Sequence, residues 1–310
     1  MSSEDRKKIV SVGHIALDYI FNVERFPEPN TSVQIPSVKR YYGGSACNVA
    51  VAVAKLGLRS GIVSCVGYDF TNSGYSTYLK NLDVDISNVY HSDEEETPKA
   101  WIFTDPKNNQ MTFFLWGAAK HYKELKPPTF DGDIVHLATG DPEFNVRCVD
   151  AAKKEKKLIS FDPGQDLPLY TRENMEYILD NVDFVFMNIH EYRRTLKLLN
   201  IGEEDFRKMV PVLVVTFGER GSVIYLGDRE IEIPPIPTKV EDPTGAGDGY
   251  RAGFLSAYLR GYSLKDCGII ASTVASFVVE KRGCQTNLPT WRDVMERLRE
   301  RGYTVEEVRD

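Results

Sequence analysis

The stretch EDPTGAGDGYRAGF, Glu241 to Phe254, holds four glycines and two aspartates in fourteen residues and runs into an apolar segment of helical character. Gly245, Ala246 and Gly247 can present successive backbone N–H groups to an anion where a helix begins. Glycine leaves no Cβ in the way, and the helix dipole attracts negative charge. Asp248 follows at once, and a carboxylate there repels the anion unless it has chemical work to do. Phosphoryl transfer to a hydroxyl supplies that work, because the reaction needs positioning, charge stabilisation and one base for the hydroxyl proton. Both common nucleotide-binding templates fail: Tyr250 stands where G-x-G-x-x-G needs its third glycine, and no G-K-[ST] occurs. A second pair, Asn188 and Glu191 of NIHE, is spaced i, i+3 after an apolar run, so both can face one site from the start of a helix. A helix cap with a surface glutamate is the alternative reading.

Groups of this kind need a rigid frame. From about residue 130, short apolar runs (DIVHLA, LISFD, VDFVFMN, VPVLVVTFG) alternate with helical periods (PEFNVRCVDAAKKEKK, RENMEYILDN, IHEYRRTLKLLN), which indicates βαβ units and a mainly parallel sheet buried on both faces. GSVIYLGDREIEIPPI reads as a hairpin turned at Leu226-Gly227-Asp228, and helices follow at about 247–261, 264–281 and 290–301. KIVSVG is a further strand, and GGSACNVAVAVAKLG starts a helix. Two segments in the first 120 residues, about 15–42 and 97–118, are instead extended, aromatic and turn-rich, with a hairpin signal at Asp105-Pro106-Lys107-Asn108-Asn109. They predict a small accessory sheet inserted in the α/β body. Its aromatic residues either cover a site or pair with another subunit.

DPTGAGDGYRAGF resembles the C-terminal signature of the ribokinase-like (PfkB) carbohydrate kinases, and GGSACNVAVAVAKLG, about two hundred residues upstream, resembles their N-terminal signature. The resemblance covers essentially the whole chain. Within that family, VGHIALDYIFNVERFPEPNTSVQIPS, DPKNNQMTFFLWGAAKHY and GCQTNLPTW look most like the archaeal nucleoside kinases of broad specificity. The resemblance implies one kinase domain over residues 1–310, with a three-layer α/β/α fold, a mainly parallel central sheet and a small β-sheet lid. It also implies ATP as donor, Mg²⁺ as cofactor and a primary hydroxyl as acceptor, expected to be the 5′-hydroxyl of a ribonucleoside.

By the same resemblance Asp248 matches the catalytic base, and Gly245, Ala246 and Gly247 match the anion hole. Asn188 and Glu191 match an N-x-x-E element whose glutamate helps place Mg²⁺. Thr216, Gly218 and Gly221 of VTFGERG match the strand end that meets the donor nucleotide. Asp18 matches the carboxylate that grips sugar hydroxyls, a group able to accept from both members of a vicinal diol. Gly43 and Gly44 admit the sugar, Asn48 lies one helical turn on, and Gln34 resembles a contact of the nucleoside-kinase branch. Gln110 and Phe113 on the lid hairpin could touch donor and base, and Gln165 could face the acceptor base. In DPGQ, Gly164 replaces an asparagine that many members of the family carry.

Composition excludes several other classes. At 310 residues, 42% hydrophobic, 27% charged and with a net charge of −7, the chain lacks the basic footprint of a nucleic-acid binder. Lys153, Lys154, Lys156 and Lys157 read as a solvated helix end. Cys47, Cys65, Cys148, Cys267 and Cys284 are scattered and never in C-x-x-C, which suits buried thiols in a reducing compartment. Residues 4–8 are charged and lead into IVSVG without the apolar region of a signal peptide, and the longest charge-free apolar stretch, Cys267 to Val279, is too short to span a bilayer. A soluble cytoplasmic enzyme with no membrane partner is expected, forming a homodimer through its aromatic lid. His14 and His136 read as satisfied polar residues. The nearest rival is a kinase of the same family acting on a sugar or sugar phosphate such as fructose 6-phosphate, with Lys99, Lys107 and Arg40 as possible phosphate ligands.

Overall fold

A computed structural model describes residues 7–107 and 109–306, so Glu4, Asp5 and Arg6 of the charged N-terminal segment and Asn108 of the hairpin turn lie outside the described residues. The first part of the chain forms β1 (Lys8–Val12), β2 (Ala16–Asn22), β3 (Ser37–Gly43), α1 (Ser45–Lys55), β4 (Arg59–Val66), α2 (Tyr75–Asn81), β5 (Val84–His91), β6 (Lys99–Thr104) and β7 (Gln110–Leu115). Next come β8 (Ile134–Leu137), α3 (Pro142–Lys154), β9 (Leu158–Phe161), α4 (Arg172–Leu179), β10 (Phe184–Asn188), α5 (Ile189–Leu199), α6 (Glu203–Met209) and β11 (Val212–Thr216). The hairpin β12 (Ser222–Leu226) and β13 (Arg229–Ile233) precedes α7 (Ala246–Leu259), α8 (Leu264–Val278) and α9 (Trp291–Glu300).

Among the described residues the main sheet has nine strands in the order β13-β12-β11-β10-β9-β8-β1-β4-β5. From β5 through β11 every pairing is parallel, and the last two strands turn back antiparallel. Runs such as KIVSV and VLVVT are buried at consecutive positions because both faces of these strands are covered. One face packs Val12, Val135, Phe161, Val185 and Val215 against α3 to α6. The other packs Ile9, Ile134, Phe186 and Val214 against α1, α7, α8 and α9. The result is three layers. Helix starts are set locally: the Asp141 side chain accepts from Phe144 N ahead of Pro142, and Thr290 with Asp293 forms a capping box on α9.

The second sheet has four strands in the order β3-β2-β6-β7, drawn from residues 16–43 and 99–115. Its β6–β7 hairpin closes where Asp105 Oδ1 accepts from Lys107 N and Asn109 N. Aligned residues share a face, so Asp18 lies with Tyr41, Ala100 and Phe114, while Tyr19, Trp101 and Phe113 point the other way.

Helices α7 and α8 approach closely because α7 carries glycine at the crossing. A Cβ on Gly253 would stand 2.9 Å from Ala271 Cα and from Val274 Cγ2, and one on Gly249 would stand 2.7 Å from Val278 Cγ2. Gly253→Leu is expected to lower unfolding stability by about 2–3 kcal/mol through overpacking, measured by urea denaturation. A loss below about 0.5 kcal/mol would show that the helices separate without penalty.

Candidate active site

The carboxyl ends of the parallel strands deliver the singled-out residues to one edge of the sheet, where open α/β sheets bind ligands. Asp248 sits in the first turn of α7, and its side chain is 13% exposed. Three donors hold it. Ser45 Oγ donates to Oδ1 at 2.7 Å, Asn48 Nδ2 to Oδ2 at 2.8 Å, and Arg251 Nη1 to Oδ1 at 3.3 Å. Burial pushes its carboxyl above the ordinary 3.8, against the pull of Arg251, Asn48 and Ser45. The turn before it depends on Gly245, whose φ is +82° and whose Cβ, if present, would stand 2.7 Å from Cys284 Cβ. The anion hole differs from expectation in one donor. Ala246 N–H is taken by Pro243 O at 3.2 Å. The N–H groups of Gly245, Gly247 and Asp248 have no acceptor among the described residues, so the free donors are these three.

Asp18 projects from β2 into the same region and is 7% exposed. It accepts no hydrogen bond among the described residues, and burial, with the charges of Asp248 and Asp242 nearby, pushes its carboxyl up to about 7 from 3.8. Gly43 lies directly against it, since a Cβ there would fall 2.0 Å from Asp18 Oδ2. Gly44, with φ +91°, packs on His14 O and Ala16 N. Asn48 is brought to the same place but is already tied on both sides: Nδ2 donates to Asp248, and Oδ1 accepts from Gln285 Nε2 at 2.8 Å.

The remaining acceptor candidates are less converged. Gln34 is exposed in the loop between β2 and β3. Gln165 is exposed in the 3-10 turn Gly164–Leu169. Gln110 is on the Asp18 face but at the far end of the sheet, paired in register with Thr104. Phe113 requires a correction. The strand alternation puts it on the face opposite Asp18, 56% exposed and edge-on to Phe103, whereas Phe114 shares the Asp18 face and packs on His14 at 5.1 Å.

On the donor side, Asn188 and Thr216 pair in register at the ends of β10 and β11. Asn188 Oδ1 caps α5 by accepting from His190 N and Glu191 N, and Glu191 Oε2 accepts from Asn188 N at 2.7 Å. The capping-box reading is therefore correct, but the glutamate is buried and faces inward rather than lying on the surface. Gly218 (φ +62°) and Gly221 (φ +85°) form the turn after Thr216, and a Cβ on Gly221 would meet Ile233 O at 2.2 Å. No group of three or more His, Cys, Asp or Glu at metal-binding distance occurs among the described residues. Mg²⁺ is usually held through phosphates plus one or two carboxylates, and Glu191, buried at the start of α5, is the carboxylate here that could hold it. Among the described residues only Oε2 of Glu191 takes a protein hydrogen bond, which leaves Oε1 for it.

Three participants were not foreseen: Ser45, Gln285 and Arg251. Arg251 Nη2 pairs with Asp162 Oδ2 at 2.6 Å, and Gln285 Nε2 also donates to Tyr75 Oη at 2.6 Å. Arg251 stood in view inside GDGYRAGF, at i+3 from Asp248 and hence on its helix face. Gln285 is brought in only by tertiary folding. Gly164 is explained by its φ of +50° and by Thr139 Cγ2, which a Cβ would approach to 2.6 Å. His14 Nε2 pairs with Asp166 and His136 Nδ1 with Ser160 Oγ, each leaving its second ring nitrogen buried without a partner.

Free amides beside a buried carboxylate, at the edge of a parallel sheet, are the equipment of a phosphotransferase. The sequence matches the description pfkB family carbohydrate kinase over residues 6–291, and the chain belongs to that family. A nucleoside kinase of Methanocaldococcus jannaschii is 64% identical over 295 residues, 94% of this chain and 97% of that protein. The crystal structure of that nucleoside kinase, described as an archaeal member of the ribokinase family, superposes with a TM-score of 0.91 at 63% identity, over 95% of this chain and 98% of that one. The Burkholderia thailandensis nucleoside kinase in complex with inosine superposes with a TM-score of 0.89 at 26% identity, over 96% and 99%.

Because the folded Asp18 binds its proton more tightly than the unfolded chain does, its contribution to stability is present below the unfolded value of 3.8 and is lost as the pH rises through about 7. Asp18→Asn is expected to stabilise the ligand-free protein at pH 8 by on the order of 2 kcal/mol, with the gain shrinking toward pH 4. Thermal melts across that range check it, and an unchanged or lower melting temperature at pH 8 would refute the assignment.

Proposed function

We propose that this protein is an ATP- and Mg²⁺-dependent nucleoside kinase that phosphorylates the 5′-hydroxyl of a ribonucleoside. The observation that carries the reading is the pair of buried carboxylates, Asp18 without any donor and Asp248 beside free amides at the start of α7. Asp18 has both oxygens available for the 2′- and 3′-hydroxyls, and the bare backbone at Gly43 lets the ribose come close. The 5′-hydroxyl then reaches Asp248. The γ-phosphate of ATP rests on the N–H groups of Gly245, Gly247 and Asp248, while Asn188, Thr216, Gly218 and Gly221 flank the rest of the nucleotide. As the O5′–Pγ bond forms and the bond to the bridging oxygen of ADP breaks, the hydroxyl proton passes to Asp248. Mg²⁺, held through Glu191 and water, would neutralise charge on the phosphates. Gln34 and Gln165 are the polar side chains offered to the base, and Gln110 is the lid residue offered to the donor. The four-stranded sheet acts as a lid whose closure keeps water, a competing acceptor, from the γ-phosphate.

A phosphorylated acceptor fits less well. Lys99 is buried in ion pairs with Asp69 and Glu96, and Arg40 donates to Ser73 O at 2.8 Å from the face opposite Asp18. The five cysteines are buried and unpaired, which suits a cytoplasmic, reducing setting.

The outer face of the lid supports a homodimer. Val38 (53% exposed), Met111 (45%) and Phe113 (56%) flank Phe21, Phe103 and Trp101 in a continuous apolar surface that a second lid can cover. Phe113→Glu is expected to convert a dimer of twice the chain mass to a monomer in sedimentation. A wild-type protein that sediments as a monomer would contradict this interface.

Asp248→Asn is expected to lower kcat by about 10³-fold while the nucleoside Kd stays within about three-fold. Coupled ADP release across nucleosides, ribose and fructose 6-phosphate, with and without Mg²⁺, measures both parts. Faster turnover of fructose 6-phosphate than of every nucleoside, or near-normal turnover by the variant, would overturn the reading.

A further inference from the structure

Arg251 is 9% exposed, and its guanidinium is divided between two carboxylates rather than placed fork-to-fork on one. Nη2 pairs with Asp162 at 2.6 Å, and Nη1 lies 3.3 Å from Asp248 Oδ1. Its Nε is buried without a partner, so the divided arrangement leaves a donor unsatisfied that a bidentate pair would have used. The guanidinium also lies under the anion hole, since a Cβ on Gly247 would be 2.5 Å from Nη1. Asp162 is itself fixed, 1% exposed with Gly164 N donating to Oδ1 at 3.1 Å. The arginine therefore runs as a strut from the rigid end of β9 to the base on α7.

We propose that Arg251 is the positioning residue for Asp248: together with Ser45 and with Asn48 braced by Gln285, it fixes the carboxylate's rotamer and keeps it ionised for proton abstraction. The proposal rests on the kinase reading only in taking Asp248 as the base. Asp162 explains how the charge stays compensated. When Asp248 accepts the hydroxyl proton its charge vanishes, and the guanidinium keeps a partner. The charged and titratable groups around Asp248 are consistent with this part. Burial, together with the charges of Asp248 and Asp242, disfavours ionisation of Asp18 from β2 and of Cys284 from the loop after α8, and none of these groups supplies a cation. Glu191 and Asp162 act on the same arginine, and His136 of β8, held neutral by burial and by Arg251, adds no cation. Arg251 is the one cation among these groups that can hold Asp248 ionised.

The test compares Arg251→Gln, Arg251→Lys, Asp162→Asn and the double variant Arg251→Gln/Asp162→Asn, which leaves no buried charge orphaned if Arg251→Gln alone fails to fold. The readouts are kcat and KM over about pH 5 to 9, with whichever acceptor the wild-type protein turns over, so that failure of the nucleoside reading shows in the wild type and failure of this proposal shows only in the variants. Arg251→Gln is expected to lower kcat roughly 10- to 100-fold with KM within about three-fold, and to move the acid limb of kcat up by about one pH unit. Arg251→Lys recovers most of the loss. Asp162→Asn does not raise the acid limb, and the double variant shows the same upward shift as Arg251→Gln. A double variant that melts like wild type and keeps kcat within two-fold, or an acid limb that does not move when Arg251 is removed, would overturn the proposal.

Discussion

A carboxylate and an anion have to share one helix N-terminus, and the structure is arranged around that constraint. The start of α7 is attractive to phosphate because its amides are unpaired and its dipole is positive there. Asp248 occupies the same turn and would weaken that attraction if left alone. Its charge is spread instead over Ser45, Asn48 and Arg251, donors reaching it from α1 and from α7 itself. The backbone must then turn tightly enough to leave the amides bare, which places Gly245 at φ +82° against Cys284. Neither feature is useful without the other. A free N-terminus without the acid would bind phosphate and do nothing to it.

The parallel sheet explains how groups so distant in sequence converge. Ser45 and Asp248 are 203 residues apart, and Gln285 and Asn48 are 237 apart, yet each pair is hydrogen-bonded. Strands β1, β9, β10 and β11 all end on one edge, so the residues just past them meet there whatever their separation along the chain. The proposed acceptor half draws on the β1 end and the second sheet, the proposed donor half on β10 and β11, and α7 with its glycine-rich approach carries Asp248 between them. Close packing of α7 on α8 through Gly249 and Gly253 fixes the position of that helix start. Precision at the site thus traces partly to helix packing, which begins at Gly249 directly after Asp248 and continues at Gly253 further along α7.

What could be read in the sequence follows from this geometry. The glycine-rich loop, the βαβ alternation and the hairpin at Gly227 are local signals, and helices expected at 247–261, 264–281 and 290–301 form at 246–259, 264–278 and 291–300. The short α2 and α6 and the 3-10 segment Gly117–Glu124 have weak periodic signals, and tertiary packing forms them. Site residues on regular elements were recognisable because spacing dictates direction. Phe113 failed for a related reason: a strand with apolar residues at consecutive positions does not announce which alternate faces inward, and one step of register separates it from Phe114. Gln285 lies in GCQTNLPTW, a segment read as resembling the nucleoside-kinase branch, but its place beside Asn48 depends on tertiary folding and could not be read from spacing. The engagement of Ala246 N–H by Pro243 O is a detail of turn closure that composition does not encode.

The two carboxylates also show where stability is given up for function. Asp18 is buried against bare backbone at Gly43 with no donor to satisfy it, and Asp248 and Asp242 both raise the free energy of its charged form. A protein selected only to fold would place an asparagine or an apolar side chain there. On the proposed reading, that unsatisfied acceptor would be matched by an incoming diol, which carries two hydroxyl donors at the spacing of one carboxylate. Binding the acceptor then relieves a deficit rather than competing with an existing bond. Discrimination would then follow, because a ligand lacking one hydroxyl would leave an oxygen of the buried carboxylate unpaired.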